Sequence, residues 1–159
     1  VTARAKEGLA YAQSEPGYTQ SVAGRESDQA PADAKEWSAS FTEDEVLAAA
    51  KKAGLSLSSA IREIAVAARG ESGRATEIAI NGKRVSAPEL RIALGSSRMR
   101  STLLTSLKME DGRIVMAGKG YGHGVGMPQW GAYAMAQEGM TAEEIVDYYC
   151  RDVTVEKLW

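Results

Sequence analysis

Over residues 1–40 hydrophobic positions are thin and unpatterned. Small and polar residues dominate there, and Pro16, Gly17, Gly24 and Pro31 interrupt any periodicity, so this stretch reads as a loop-rich partial segment. From Phe41 the pattern tightens. Thr42 and Glu45 have the spacing of a capping box, and Phe41 and Val46 that of a hydrophobic staple. A helix is predicted over 43–53. Glu43, Asp44 and Glu45 suit its positive end, Lys51 and Lys52 its negative end, and Gly54 its cap. Ile64, Val66 and Ala68 alternate with more polar neighbours, as do Thr76, Ile78 and Ile80 after a turn at 70–73, which predicts two strands. Asn81-Gly82 signals a two-residue hairpin leading into a short return strand at Val85. Ser86 and Glu89 repeat the capping-box spacing ahead of a helix over 87–94 closed by Gly95. A hairpin follows, with strands over 103–109 and 113–117 joined at Asp111-Gly112. Helices are predicted near 128–138 and over 142–149, the second boxed by Thr141 and Glu144, and 152–158 alternates as a closing strand would. Strands and helices mix without a regular βαβ beat, which predicts an α+β fold with largely antiparallel strands and several short helices. The domain expected from this pattern covers 41–159, preceded by the partial segment 1–40.

Composition narrows the function classes. The 159 residues are 44% hydrophobic and 25% charged, as in ordinary globular domains, and net charge is -2 with Lys and Arg scattered. No basic stripe forms, so nucleic acid is not an expected partner. One cysteine, Cys150, and one histidine, His123, allow neither an internal disulfide nor a four-ligand zinc site, and no metal or other cofactor is expected. Cys150 follows Tyr148 and Tyr149 on an amphipathic stretch and reads as a small buried hydrophobe. No apolar run approaches the roughly 20 residues of a membrane helix. The chain opens at Val1 rather than Met and reads as a fragment of a longer protein.

Residues 118–133 carry the most information. Glycine occupies 118, 120, 122, 124 and 126. In an extended chain that spacing puts all five on one bare face, with Lys119, Tyr121, His123, Val125 and Met127 on the other. A ligand or neighbouring strand can then approach the backbone closely. The strict alternation fits neither a dinucleotide fingerprint nor a phosphate loop, and no serine stands at the centre for a nucleophile elbow. Pro128 suits the first turn of the next helix, from which Gln129, Trp130 and Tyr133 project. Backbone, imidazole, amide and indole together suit a sugar, whose ring faces are apolar and edges polar. Trp130 would stack a ring and Gln129 bond hydroxyls. A structural reading of the same residues stays open: tight helix–strand packing for the glycines, core packing for Trp130 and Tyr133, a hydrogen-bonded structural role for His123.

The run Gly120 to Ala132 resembles the signature of the stage II sporulation protein D family, which includes amidase-enhancer proteins. Ser72-Gly73-Arg74, Glu89-Leu90-Arg91 with Leu94-Gly95, and Tyr148-Tyr149 fall in the family's order, and Tyr18 to Val22 with Trp37 and Phe41-Thr42 resembles its middle. The resemblance spans most of 15–159. It implies the peptidoglycan-binding part of a lytic transglycosylase, which cleaves glycan strands to 1,6-anhydromuramyl products with one carboxyl group acting as acid and then base. It places that catalytic glutamate upstream of this chain, and neither Glu7, Glu15 nor Glu89 matches its surroundings. The chain alone is then expected to be inactive. The alternative is a non-catalytic amidase-enhancer or wall-binding module. Tyr121, His123, Gln129 and Trp130 are expected to line the glycan groove, and Arg91 to orient or neutralise a carboxylate, that of the glutamate or of the muramyl lactyl group. The implied partners are peptidoglycan glycan strands and a cell-wall amidase or other sporulation wall hydrolase. The implied location is the cell envelope, outside the cytoplasm, with a membrane anchor in the parent protein.

Overall fold

The structure is a computed structural model that describes residues 1–25, 30–58 and 60–158. Two three-stranded antiparallel sheets and a set of short helices make an α+β fold, as the pattern predicts. One sheet has the order β1 (Glu36–Thr42), β6 (Arg113–Lys119), β5 (Leu104–Glu110). The other runs β2 (Ile64–Arg69), β3 (Ala75–Ile80), β4 (Lys83–Ser86). The β3–β4 and β5–β6 turns use the predicted dipeptides. Asn81 and Gly82 have φ of 50° and 75°, and Asp111 and Gly112 have φ of 49° and 73°, the paired left-handed residues a two-residue turn needs to match strand twist.

Helix α3 (Glu43–Lys52) begins as expected: Thr42 Oγ1 accepts from the Glu45 amide at 3.2 Å, and Glu45 Oε2 accepts from the Thr42 amide at 2.7 Å. Val46, Ala49 and Ala50 form its buried stripe. Helix α4 (Ala87–Leu94) is capped by Ser86, whose side chain accepts from the Glu89 amide. These helices and both sheets share one core, including Phe41, Ile78, Ile80, Leu90, Ile114 and Met116. Each such fully buried side chain contributes roughly 1.5–3 kcal/mol. A second, smaller core forms where α5 (Gln129–Gln137) meets α6 (Ala142–Tyr149), around Met135, Ile145 and Tyr149. Thr141 and Glu144 make the predicted box at the start of α6. Half-buried Cys150 packs at the edge of this second core.

Two expectations change. The stretch 152–158 forms no strand and lies mostly exposed. Alternation yields a strand only where a sheet edge takes up its backbone groups, and none does here. Conversely, β1 begins inside the stretch read as loop and runs on to Thr42. Its Ser and Ala content has little strand preference, yet it pairs along its whole length with β6, from Glu36 opposite Lys119 to Thr42 opposite Arg113. Trp37 and Phe41 anchor it in the core. Trp37 lies across Gly118, where an added Cβ would stand 2.7 Å from the indole, so that glycine serves close packing.

The N-terminal residues are also engaged. The single-turn helix α1 (Ala5–Gly8) has its first amides capped by Glu15, which accepts from Ala5 at 3.0 Å and Lys6 at 2.5 Å. Thr2 donates its hydroxyl to the Gln20 carbonyl and exchanges hydrogen bonds with Val22. A further turn, α2 (Ala32–Lys35), leads into β1.

Candidate functional site

Strand β6 ends at Lys119, and the chain then runs irregularly to α5. Here the extended-ribbon expectation is corrected. Gly120, Gly122, Gly124 and Gly126 have φ of 75°, 97°, 75° and 74°, values an extended strand does not use. The intervening Tyr121, His123 and Val125 do not share that region. Period-two glycine spacing therefore alternates backbone handedness instead of sorting side chains onto two faces. Glycine is required because only it enters this region at no steric cost.

The loop is held from both sides. On one side, the Gly122 amide donates to the Arg100 carbonyl at 2.8 Å, the Lys119 amide to Leu103 at 2.9 Å, and Ser101 Oγ to the Lys119 carbonyl at 2.6 Å. Ser101 Oγ also accepts from the Trp37 indole at 3.0 Å, which ties the loop to β1. On the other side, the Ala3 amide donates to the Gly124 carbonyl at 2.8 Å, and Ala3 bridges Val125 in parallel. Gly8 of α1 packs so closely on the His123 carbonyl and Val125 that a Cβ there would overlap both.

The loop forms one wall of a cleft of about 890 Å³. Every residue from Lys119 to Trp130 lines it, and Val1, Thr2, Ala30, Lys35, Arg74 and Leu103 complete the lining. The glycine run is thus open to a cleft and not sealed in the core. Beyond Gly120, Gly122 and Gly126, the space where a Cβ would project is empty. At Gly124 a Cβ would overlap the guanidinium of Arg74, so that glycine also lets a buried cation come up under the loop.

Four of the five expected contact residues meet here. Tyr121 is 61% exposed, and the Arg100 guanidinium stands 5.8 Å from its ring centre. Gln129 is exposed in the first turn of α5. Trp130 is half-buried, edge-on to Tyr133 with ring centres 5.8 Å apart. His123 is exposed, and its Nδ1 accepts from the Val125 amide at 3.0 Å. That bond assigns the neutral ring's proton to Nε2, leaving a donor on the other edge. Surrounding protein lowers the His123 pKa, and the nearby guanidinium groups of Arg91 and Arg74 lower it further, so the neutral ring is favoured.

Arg91 does not line the cleft. It is buried in the last turn of α4, and its Nε donates to the Arg100 carbonyl at 3.1 Å. Leu90 and Leu94 draw that face of α4 into the core, and Arg91 goes inward with them. The arginine that reaches the cleft is Arg74, whose Nη1 donates to the Val1 carbonyl at 2.9 Å. Arg74 stands within a matched motif, Ser72-Gly73-Arg74, which was the available signal for it. The same motif holds Glu7, which is buried and accepts from the Ser72 amide at 2.9 Å and from the Ser72 hydroxyl. Glu7 and Glu15 are thus structural anchors, and the lining carries Lys35, Arg74 and Lys119 but no carboxylate among the described residues. No cluster of three or more metal-ligating side chains forms among the described residues, and none of their helices is long and apolar enough to cross a membrane.

Residues 13–126 match the family described as "Domain of unknown function (DUF8618)". The chain is 35% identical over 92 residues to stage II sporulation protein D of Bacillus amyloliquefaciens, covering 58% of this chain and 26% of that protein. It is 39% identical over 67 residues to the amidase enhancer of Bacillus subtilis (strain 168), covering 42% of this chain and 9% of that protein. An uncharacterized protein of Brachyspira hyodysenteriae is 39% identical over 92 residues, covering 58% of this chain and 25% of that protein. The matched stretch spans about a quarter or less of the length of these relatives. The chain belongs to the DUF8618 family, and its kinship with proteins named stage II sporulation protein D and amidase enhancer is shown by these relatives.

Proposed function

We propose that the cleft binds peptidoglycan glycan, as the sugar-holding part of a sporulation protein D-like lytic transglycosylase whose acid lies outside the described residues. The observation that carries this reading is the convergence of Tyr121, His123, Gln129 and Trp130 on one open cleft beside a backbone wall. An indole can cover the apolar face of a sugar, and the amide and the imidazole Nε2–H can meet its hydroxyls. Lys35, Arg74 and Lys119 supply positive charge, which suits the lactyl carboxylate of a muramyl residue. In this reading the protein works at the cell envelope. In this reading the catalytic glutamate lies upstream of the chain, and the chain alone binds strands without cutting them.

The test is binding of purified glycan strands to the chain and to H123A, Q129A and W130A, with mass spectrometry of the incubated strands. The reading expects weaker binding in all three variants and no 1,6-anhydromuramyl ends. Unchanged binding in all three removes the cleft from the proposal, and anhydromuramyl ends would demand an acid within the chain.

The relative named amidase enhancer supports a second reading, in which the same glycan-holding domain serves a separate cell-wall amidase. The two readings part in the parent protein. Purified parent that releases anhydromuramyl ends by itself is the enzyme. Parent that releases none but raises the activity of an added amidase is the enhancer.

A further inference from the structure

We propose that Arg91 is a positioning residue, which holds the glycine loop through the Arg100 carbonyl in the shape that turns the His123 Nε2–H toward the cleft. This goes beyond the glycan reading of the cleft and does not depend on it.

The geometry is a relay through one oxygen. The Arg100 carbonyl accepts from Arg91 Nε at 3.1 Å and from the Gly122 amide at 2.8 Å. Arg91 is 7% exposed and fixed on α4, whose Leu90 and Leu94 lie in the main core. The loop is therefore referenced to the core through a charged donor and a doubly used acceptor. Hydrogen bonds to charged groups are stronger than neutral ones. The Arg100 guanidinium over the Tyr121 ring adds a second tie to the same residue. Immediately downstream, the Val125 amide is committed to His123 Nδ1. A loop of alternating left-handed glycines has little stiffness of its own, so an outside reference is needed to keep residues 122–125 in one conformation.

The charged groups around the imidazole are cations. Arg91 from α4 and Arg74 from the turn before β3 lower the His123 pKa, and Lys35 and Lys119 stand on the cleft wall. Tyr121 is the titratable neighbour on the loop, and Glu7 beside Gly8 is engaged by Ser72. Arg91 thus acts twice, by its bond and by its charge, and the two actions separate experimentally.

The chain has one histidine, so its imidazole resonances are unambiguous. The experiment measures amide hydrogen exchange at Gly122 and Val125, imidazole nitrogen shifts and the His123 titration in the wild-type chain, R91K and R91M. The expected wild-type result is protected Gly122 and Val125 amides and a single Nε2–H tautomer. Loss of the charged bond should reduce protection at both amides by about tenfold or more in each variant. The His123 pKa should rise in R91M, where the cation is gone, and rise less in R91K, where it is kept. Wild-type protection and tautomer in folded variants would overturn the proposal. If R91M does not fold, R91K and the wild-type chain decide, because an unprotected Gly122 amide in the wild type refutes the relay outright. None of these readouts uses glycan, so failure of the glycan reading leaves them intact.

Discussion

Replacing Gly131 by alanine should destabilise the protein, although the same change inside a helix ordinarily stabilises. Gly131 is buried in α5, and Ala in place of Gly there gains about 0.5–1 kcal/mol of helix stability. The surroundings reverse the sign. An added Cβ would overlap the Gly24 carbonyl oxygen and the Tyr149 hydroxyl, which are themselves joined by a buried hydrogen bond of 2.7 Å. Tyr149 is fully buried in the second core and has no free space to retreat into. Either that bond breaks, at roughly 1–3 kcal/mol for the orphaned groups, or α5 lifts from its neighbours, at roughly 1–3 kcal/mol for overpacking. When both happen the net loss is about 1–5 kcal/mol after the helical gain is subtracted. The assay is urea unfolding together with amide exchange in α5 and α6, since this core is separate from the main one and can open on its own. Gly17→Ala serves as control, because nothing lies within 4 Å of the Cβ it would add. If Gly131→Ala is as stable as the wild type, with α5 and α6 equally protected, the close approach of these elements is not what the glycine is for.

Other expectations concern the caps and the cleft. Thr42→Ala removes the acceptor of the Glu45 amide and should cost about 1 kcal/mol, read as a lower urea midpoint at unchanged slope. Glu45 is held down to about 2 from 4.5, first by its hydrogen bond to Arg98 and then by the Thr42 amide. Its folded value lies below its unfolded one, so its contribution is complete above about pH 4.5 and is lost as pH falls toward about 2. Urea midpoints of Glu45→Gln should therefore fall less steeply across that window than those of the wild type, and equal slopes would refute the pairing with Arg98. In the cleft, Trp130→Ala should weaken binding of glycan strands by about tenfold, or about 1.4 kcal/mol, while Trp130→Phe keeps part of the affinity, measured by titration calorimetry.

Local structure was legible wherever the deciding atoms lie within a few residues of each other. The boxes at Thr42 and Thr141 form from an N-cap and its own third neighbour, and the Asn81-Gly82 and Asp111-Gly112 turns need only two residues that tolerate positive φ. The sequence by itself therefore determined α3, α4, α6, both hairpins and the α+β class. The glycine run, with Tyr121, His123, Gln129 and Trp130, also pointed to residues that line one cleft, because its composition fits so few other loops.

Tertiary structure decided what depends on distant partners. Strand β1 exists because β6 takes its backbone bonds and the core takes Trp37 and Phe41, whereas 152–158 alternates but has no edge to join. Spacing alone could not say whether alternate glycines share a face or alternate in handedness. Hydrogen bonds from Gly122 to the Arg100 carbonyl on one side and from the Ala3 amide to Gly124 on the other accompany the second form. Nor could the sequence rank its arginines: Arg91 and Arg74 both sit in recognisable motifs, but α4 carries one behind the loop and the β2–β3 turn brings the other beneath Gly124, into the cleft. A side chain's chemistry is written in its own residue, but what it faces is set by the packing of every element around it.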